Sequence, residues 1–159
     1  MKAVAVSTFL VVASLLTGAE RTLGPITLHL ADDVRIETSN EVLLAFIGGK
    51  SGVPKAHFNV QIAELAKIRS GEVSVPDGFG DLERVLRKKK KASTVSPNGH
   101  QIERLQGSMP IDGREAFAYA VVFTGKNYQI YFALLDQRGH SEAKSLFDEI
   151  FGQIDRSVL

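Results

Sequence analysis

Apolar and polar residues alternate at Ile26, Leu28 and Leu30, and again at Phe58, Val60 and Ile62. A period of two predicts strands with one buried face. Val42–Ile47, VLLAFI, is an unbroken apolar run of strand length. The fullest pattern lies further on. Glu115–Phe123 (EAFAYAVVF) and Tyr128–Leu135 (YQIYFALL) flank Thr124-Gly125-Lys126-Asn127. Two β-rich runs joined by a short Gly/Asn turn predict a hairpin. In its first strand Phe117, Tyr119, Val121 and Phe123 share one face, and Ala116, Ala118, Ala120 and Val122 share the other. Apolar residues on both faces predict a central strand covered on each side. The alanine row leaves room for a helix to lie close to the sheet.

Two segments carry helical spacing. Leu146, Phe147, Ile150, Phe151 and Ile154 recur on one face near the end of the chain. Ser141, following the strand-breaking Gly139, is the expected cap. Burying five such side chains contributes about 10 kcal/mol gross, at about 2 kcal/mol each. Backbone ordering offsets much of this, yet so much apolar surface predicts a helix docked on the sheet. The second predicted helix spans Phe79–Lys90, with Asp81 and Glu83 at its start and lysines at its end, as the helix dipole favours. At 100° per residue Phe79, Leu82 and Leu86 share one side, and Arg84, Arg87, Lys88 and Lys91 the opposite side. Lys89 falls on the apolar side, where fraying or snorkelling is expected. The predicted loops are Gly48–Lys55, Ser70–Gly80 and Ser93–Gly99, each with glycine or proline chemistry. There is no internal repeat.

Residues 24–155 thus run through strands, a helix, a return strand into PIDGREAFAY (Pro110–Tyr119), a long hairpin and a closing LFDEIFGQI helix (Leu146–Ile154). This order resembles the PsbP-like fold, the local marks being the IDG-x-x-A turn and the aromatic final helix. The resemblance implies an α+β fold, a mainly antiparallel β-sheet flanked by helices as an α/β/α sandwich. It also implies a mostly non-catalytic domain that docks onto larger partners. It supplies no family site residue for any position here.

Composition changes this picture at the N-terminus. Lys2 precedes the uncharged apolar run Ala3–Leu16, and Thr17-Gly18-Ala19 places small residues before Glu20. That arrangement predicts a signal peptide over residues 1–19, leaving a single α+β domain over 20–159. The run is shorter than the ~20 apolar residues of a membrane span, so no transmembrane span is expected after cleavage. The expected location is periplasmic or secreted. The 159 residues include no cysteine, which removes disulfides, thiolate ligands, a cysteine nucleophile and a lipid-accepting thiol. Lys+Arg number 19 and Asp+Glu 18. Loss of Lys2 leaves 18 of each, a formal net charge of zero. Nucleic-acid binders carry a basic excess, so no specific nucleic acid is expected as a partner.

Candidate chemistry is sparse. Ile47–Gly52, IGGKSG, lacks the first glycine of a phosphate-binding loop: Leu44 stands there, and Val53-Pro54 follows where a helix should begin. His29, His57, His100 and His140 show no paired metal-ligand spacing. His29 is expected to contact Asp32 or Asp33 at a turn. No metal or other cofactor is expected. Gly107-Ser108-Met109-Pro110 has glycine on one side only, so it is not a nucleophile elbow. No catalytic residue is assigned, although a triad assembles in space and not in sequence. Asp112-Gly113 reads as a turn, with Arg114-Glu115 beside it.

RVLRKKKK, residues 84–91, is the densest charge run. Arg84, Arg87, Lys88 and Lys91 form a solvated helix face or a docking surface for an acidic partner protein or an anionic envelope component. Nucleic-acid binding is disfavoured again, because no aromatic side chains interleave to stack on bases. Two functional expectations remain. One is an exported, non-enzymatic domain that binds a protein or envelope component. The other is a small envelope hydrolase with a spatially assembled active site.

Overall fold

The strongest hairpin forms where its pattern places it, and the rest of the sheet grows from it. The computed structural model describes residues 19–39, 41–48, 54–75, 78–96 and 99–157. Strand β1 (Ala19–Leu23) pairs with β2 (Ile26–Leu30) as a separate two-stranded ribbon. The remaining strands are β3 (Arg35–Thr38), β4 (Val42–Ile47), β5 (Ala56–Glu64), β6 (Arg87–Val95), β7 (Gln101–Ile111), β8 (Arg114–Thr124) and β9 (Tyr128–Asp136). They form one sheet in the order β3-β4-β5-β9-β8-β7-β6, with every neighbouring pair antiparallel. Helices are α1 (Leu65–Ser70), α2 (Gly80–Val85) and α3 (His140–Ser157). The domain is therefore α+β with a mainly antiparallel sheet.

Asp112 and Gly113 link β7 to β8 with φ of 50° and 75°. Positive φ at both positions matches the twist of the flanking strands. Their unbroken register runs from Ile111 opposite Arg114 to Gln101 opposite Thr124.

The sheet's two faces are covered unequally. On the first face Phe58, Val60, Tyr119, Val121, Phe123 and Phe132 pack beneath Ile26 and Leu28 of the ribbon and Phe147, Ile150 and Ile154 of α3. Phe147 stacks on Phe132 at 5.1 Å and on Tyr119 at 5.2 Å between ring centroids. On the second face Ala118, Ala120, Val122 and Leu105 pack with Phe79 and Leu86. The alanine row is thus covered by the short segment around α2, while the long helix lies over the aromatic face. An aromatic ring above small side chains fills the space that a long helix would otherwise occupy.

Three expectations change. The Phe79–Lys90 helix ends at Val85, and Leu86 already has extended dihedrals. Arg87–Val95 instead pairs along β7, so the loop expected over Ser93–Gly99 is strand as far as Val95. In a helix Arg84, Arg87, Lys88 and Lys91 would stack at the i,i+3 and i,i+4 spacings, where like charges repel. A strand sends successive side chains to opposite faces and relieves that crowding. Finally, α3 begins at His140, so Ser141 lies inside its first turn and is not its cap. The Ala143 N–H bonds the Gly139 carbonyl at 3.0 Å. Most of the Gly48–Lys55 loop lies outside the described residues. Among the described residues no helix is long and apolar enough to cross a membrane.

Candidate docking surface on the basic edge strand

Arg84 sits on α2, and Arg87, Lys88 and Lys91 on β6, so the four do not share a helix face. All nine residues of β6 are exposed. Among the described residues the strand pairs only with β7 and forms one edge of the sheet. The ladder breaks between Arg87 and Lys90, and Lys88 has φ of 48°. A bulge with an extra residue accounts for this geometry. Beyond it, register runs unbroken from Lys90 opposite Gln106 to Val95 opposite Gln101.

Gly107 explains how β6 starts so close to β7. A Cβ at that position would lie 2.8 Å from the Arg87 carbonyl oxygen and 3.1 Å from the Leu86 Cβ. Leu86 is 4% exposed and anchors the strand's beginning on the second face.

The charges are not equally available. Arg84 meets Asp81 at 3.0 Å, and Lys91 meets Glu83 at 3.0 Å, its Nζ lying 5.8 Å from the Phe79 ring centroid. Lys89 donates from Nζ to the Glu83 carbonyl at 3.0 Å. Arg87, Lys88, Lys89 and Lys90 thus have no carboxylate within ion-pair distance among the described residues. A helical period leaves Lys89 on the apolar side and Lys90 off the basic face, whereas the strand exposes every residue of this run. A β-branched tail, Thr94 and Val95, was the available signal for a strand.

The other candidates resolve into structural contacts. His29 is not joined to Asp32 or Asp33 by the described ion pairs. Its Nδ1 lies 3.8 Å from Glu20, and its backbone N–H bonds the Gln153 side chain at 2.7 Å. His140 Nε2 lies 3.1 Å from the Tyr119 hydroxyl, whose pKa is raised by burial. His100 packs edge-on against Phe123, and its buried Nδ1 has no partner among the described residues. Among the described residues no three His, Asp or Glu side chains gather as a metal site. Asp136 is fully buried and held by Arg138, with Nη2 to Oδ2 at 2.7 Å and Nε to Oδ1 at 3.0 Å. The carboxylate hydrogen bond raises the Arg138 pKa. A carboxylate saturated in this way does not orient a catalytic histidine. Ser108 is buried within β7 opposite Phe117. The described hydrogen bonds join no Ser or Thr hydroxyl to a histidine ring, so they assemble no Ser–His pair. Arg114 and Glu115 are exposed at the start of β8.

Two open grooves mark the second face. One, of about 590 Å³, is lined by Val42, Gln61, Val73, Gln129 and Tyr131. Burial raises the Tyr131 pKa. The other, of about 480 Å³, is lined by Lys55, His57, Asp112, Leu135 and Gln137. Burial lowers the His57 pKa, since a desolvated imidazolium is disfavoured. The first groove is also lined by Glu41 and Ser74, and the described hydrogen bonds do not join them.

No family model and no curated protein matches the chain. Among solved structures it is similar to a Pseudomonas aeruginosa protein of unknown function described as a putative regulator. The identity is 13% and the TM-score 0.41, covering 89% of this chain and 95% of that one.

Proposed function

We propose that this is an exported, non-enzymatic domain that binds an acidic partner protein through its basic edge strand. One observation carries the reading: Arg87–Lys90 stand exposed on an edge strand with no carboxylate partner among the described residues. Such a cluster raises the local concentration of negatively charged surfaces and speeds encounter with them. The PsbP-like resemblance of Pro110–Tyr119 and Leu146–Ile154 favours a docking role over catalysis. Export rests on Lys2, the apolar run Ala3–Leu16 and the small residues up to Ala19. Sequencing the N-terminus of the protein recovered outside the cytoplasm checks it. A start near Glu20 is expected, and an intact Met1 overturns export.

Charge reversal tests the docking surface. Wild type and the triple variant Arg87→Glu, Lys88→Glu, Lys90→Glu are titrated with poly-L-glutamate and with phosphatidylglycerol vesicles. Wild type is expected to bind poly-L-glutamate, more weakly as salt shortens the screening length below about 10 Å. The variant should lose that binding while keeping its melting temperature. Equal binding by the two overturns the reading. Binding to vesicles without binding to poly-L-glutamate replaces the protein partner with a lipid surface.

A further inference from the structure

We propose that the outer edge of β6 takes up an acidic, extended segment of the partner as an eighth strand of the large sheet. The inference rests on the docking role just proposed and names the form of the partner it requires. The sheet's two edges differ. The β3 edge is only Arg35–Thr38, and its Arg35 guanidinium is occupied by Glu37 at 4.0 Å and by the Phe46 ring at 4.5 Å. A short edge with engaged charges is protected against pairing. The β6 edge is nine residues long and exposed throughout.

Lysines and a bulge are also protective devices, and here they occupy only the first part of the strand. The bulge lies between Arg87 and Lys90, and the ladder is regular from Lys90 onward. Ala92-Ser93-Thr94-Val95 has no charge and no proline, and Val95 is 71% exposed. An edge built solely to repel strands would place charge in that stretch. Instead the strand offers a regular, neutral β-forming half beside a basic half. Main-chain hydrogen bonds supply affinity in strand addition, and side chains supply selectivity. Lys90 lies beside Gln106 and Lys91 beside Leu105, so these neighbours point to opposite faces. Lys91 already meets Glu83 at 3.0 Å, so the carboxylates of an added strand are received by Lys90 and by the basic residues that precede it. The neutral half accommodates β-branched residues. The complementary sequence is therefore a short β-branched run followed, in antiparallel sense, by two or three acidic residues.

A synthetic peptide, acetyl-Thr-Val-Thr-Val-Glu-Glu-Glu-amide, serves as the probe. Its control has the same sequence methylated at every backbone nitrogen, which keeps the charge and removes the hydrogen-bond donors. Binding is read by fluorescence anisotropy against the full chain, together with amide hydrogen exchange across Lys90–Val95. The parent peptide is expected to bind and to slow exchange in this segment. Methylation should weaken binding about tenfold or more, through loss of several hydrogen bonds. Equal affinity of the two peptides overturns strand addition and leaves charge-driven docking intact. So does binding of poly-L-glutamate with binding of neither peptide. If wild type binds none of the three, the docking function falls as well.

Discussion

At Gly107 the absence of a side chain decides where a neighbouring strand runs. With the Arg87 carbonyl oxygen 2.8 Å from the position a Cβ would take, Gly107→Val forces β6 away from β7. Overpacking of this kind costs about 1–3 kcal/mol. A lowered thermal midpoint should accompany faster amide exchange in Arg87–Lys91 than in β8. His57 offers a second test at this scale. Burial holds its folded pKa below the ordinary 6.5. The unfolded chain therefore binds the extra proton first, and stability falls as pH drops through about 6.5 toward the lower folded pKa. Below the folded pKa this loss levels off. Urea midpoints measured from pH 7.5 to 5 should show the loss, and His57→Gln should remove its share. Identical pH profiles for both proteins would mean that the imidazole is solvated in the folded state. These roles differ in legibility. The Asp-Gly turn at Asp112 and Gly113 was readable from residue type alone. The demand on Gly107 was not, because the obstructing atoms belong to residues about twenty positions earlier.

The elements were legible wherever one periodicity had no competitor. Helix α3 buries Phe147 to 6% exposure in a stack of four aromatic rings, whereas Phe151 is only half-buried beneath the Arg104 guanidinium. Phe147→Ala should therefore destabilise the domain by about 3–5 kcal/mol. Phe151→Ala removes less buried area and should cost about 1–2 kcal/mol. Thermal or urea unfolding distinguishes the two, and equal losses would contradict the observed difference in burial. Spacing alone made these two rings equivalent. The basic run shows the opposite outcome. Residues 79–86 do place Phe79, Leu82 and Leu86 against the sheet, as the helical wheel required. Past Leu86 the same period fails, because β7 offers a ladder of backbone partners that no local rule contains. Strand β3 and helix α1 were missed for the same kind of reason. Each is short, and each is held by the neighbouring strand it follows or precedes.

Across the whole molecule, the ribbon of β1 and β2 works as a lid on the aromatic face. Leu23 is 3% exposed, and the ribbon is clamped to α3 through His29–Gln153 and Thr27–Ser157 hydrogen bonds. A chain beginning at Glu20 removes only Ala19 from the β1 ladder and should melt with the longer protein. A chain beginning at Gly24 loses β1 and the burial of Leu23, worth about 2 kcal/mol. It should melt several degrees lower and expose the aromatic face to hydrophobic dyes. Matching midpoints would show that the ribbon is dispensable. By itself the sequence determined the strand-rich α+β class, the doubly covered hairpin, the docked final helix and the lack of a local catalytic motif. Each of these depends on residue type and on periodicity within a single element. Only the tertiary structure decided that β5 pairs with β9, that the alanine face is covered by a short segment, and that the lysine run is an edge strand. Those outcomes follow from backbone hydrogen bonds between segments far apart in the chain, and their free energy is not written in the pattern of either partner alone.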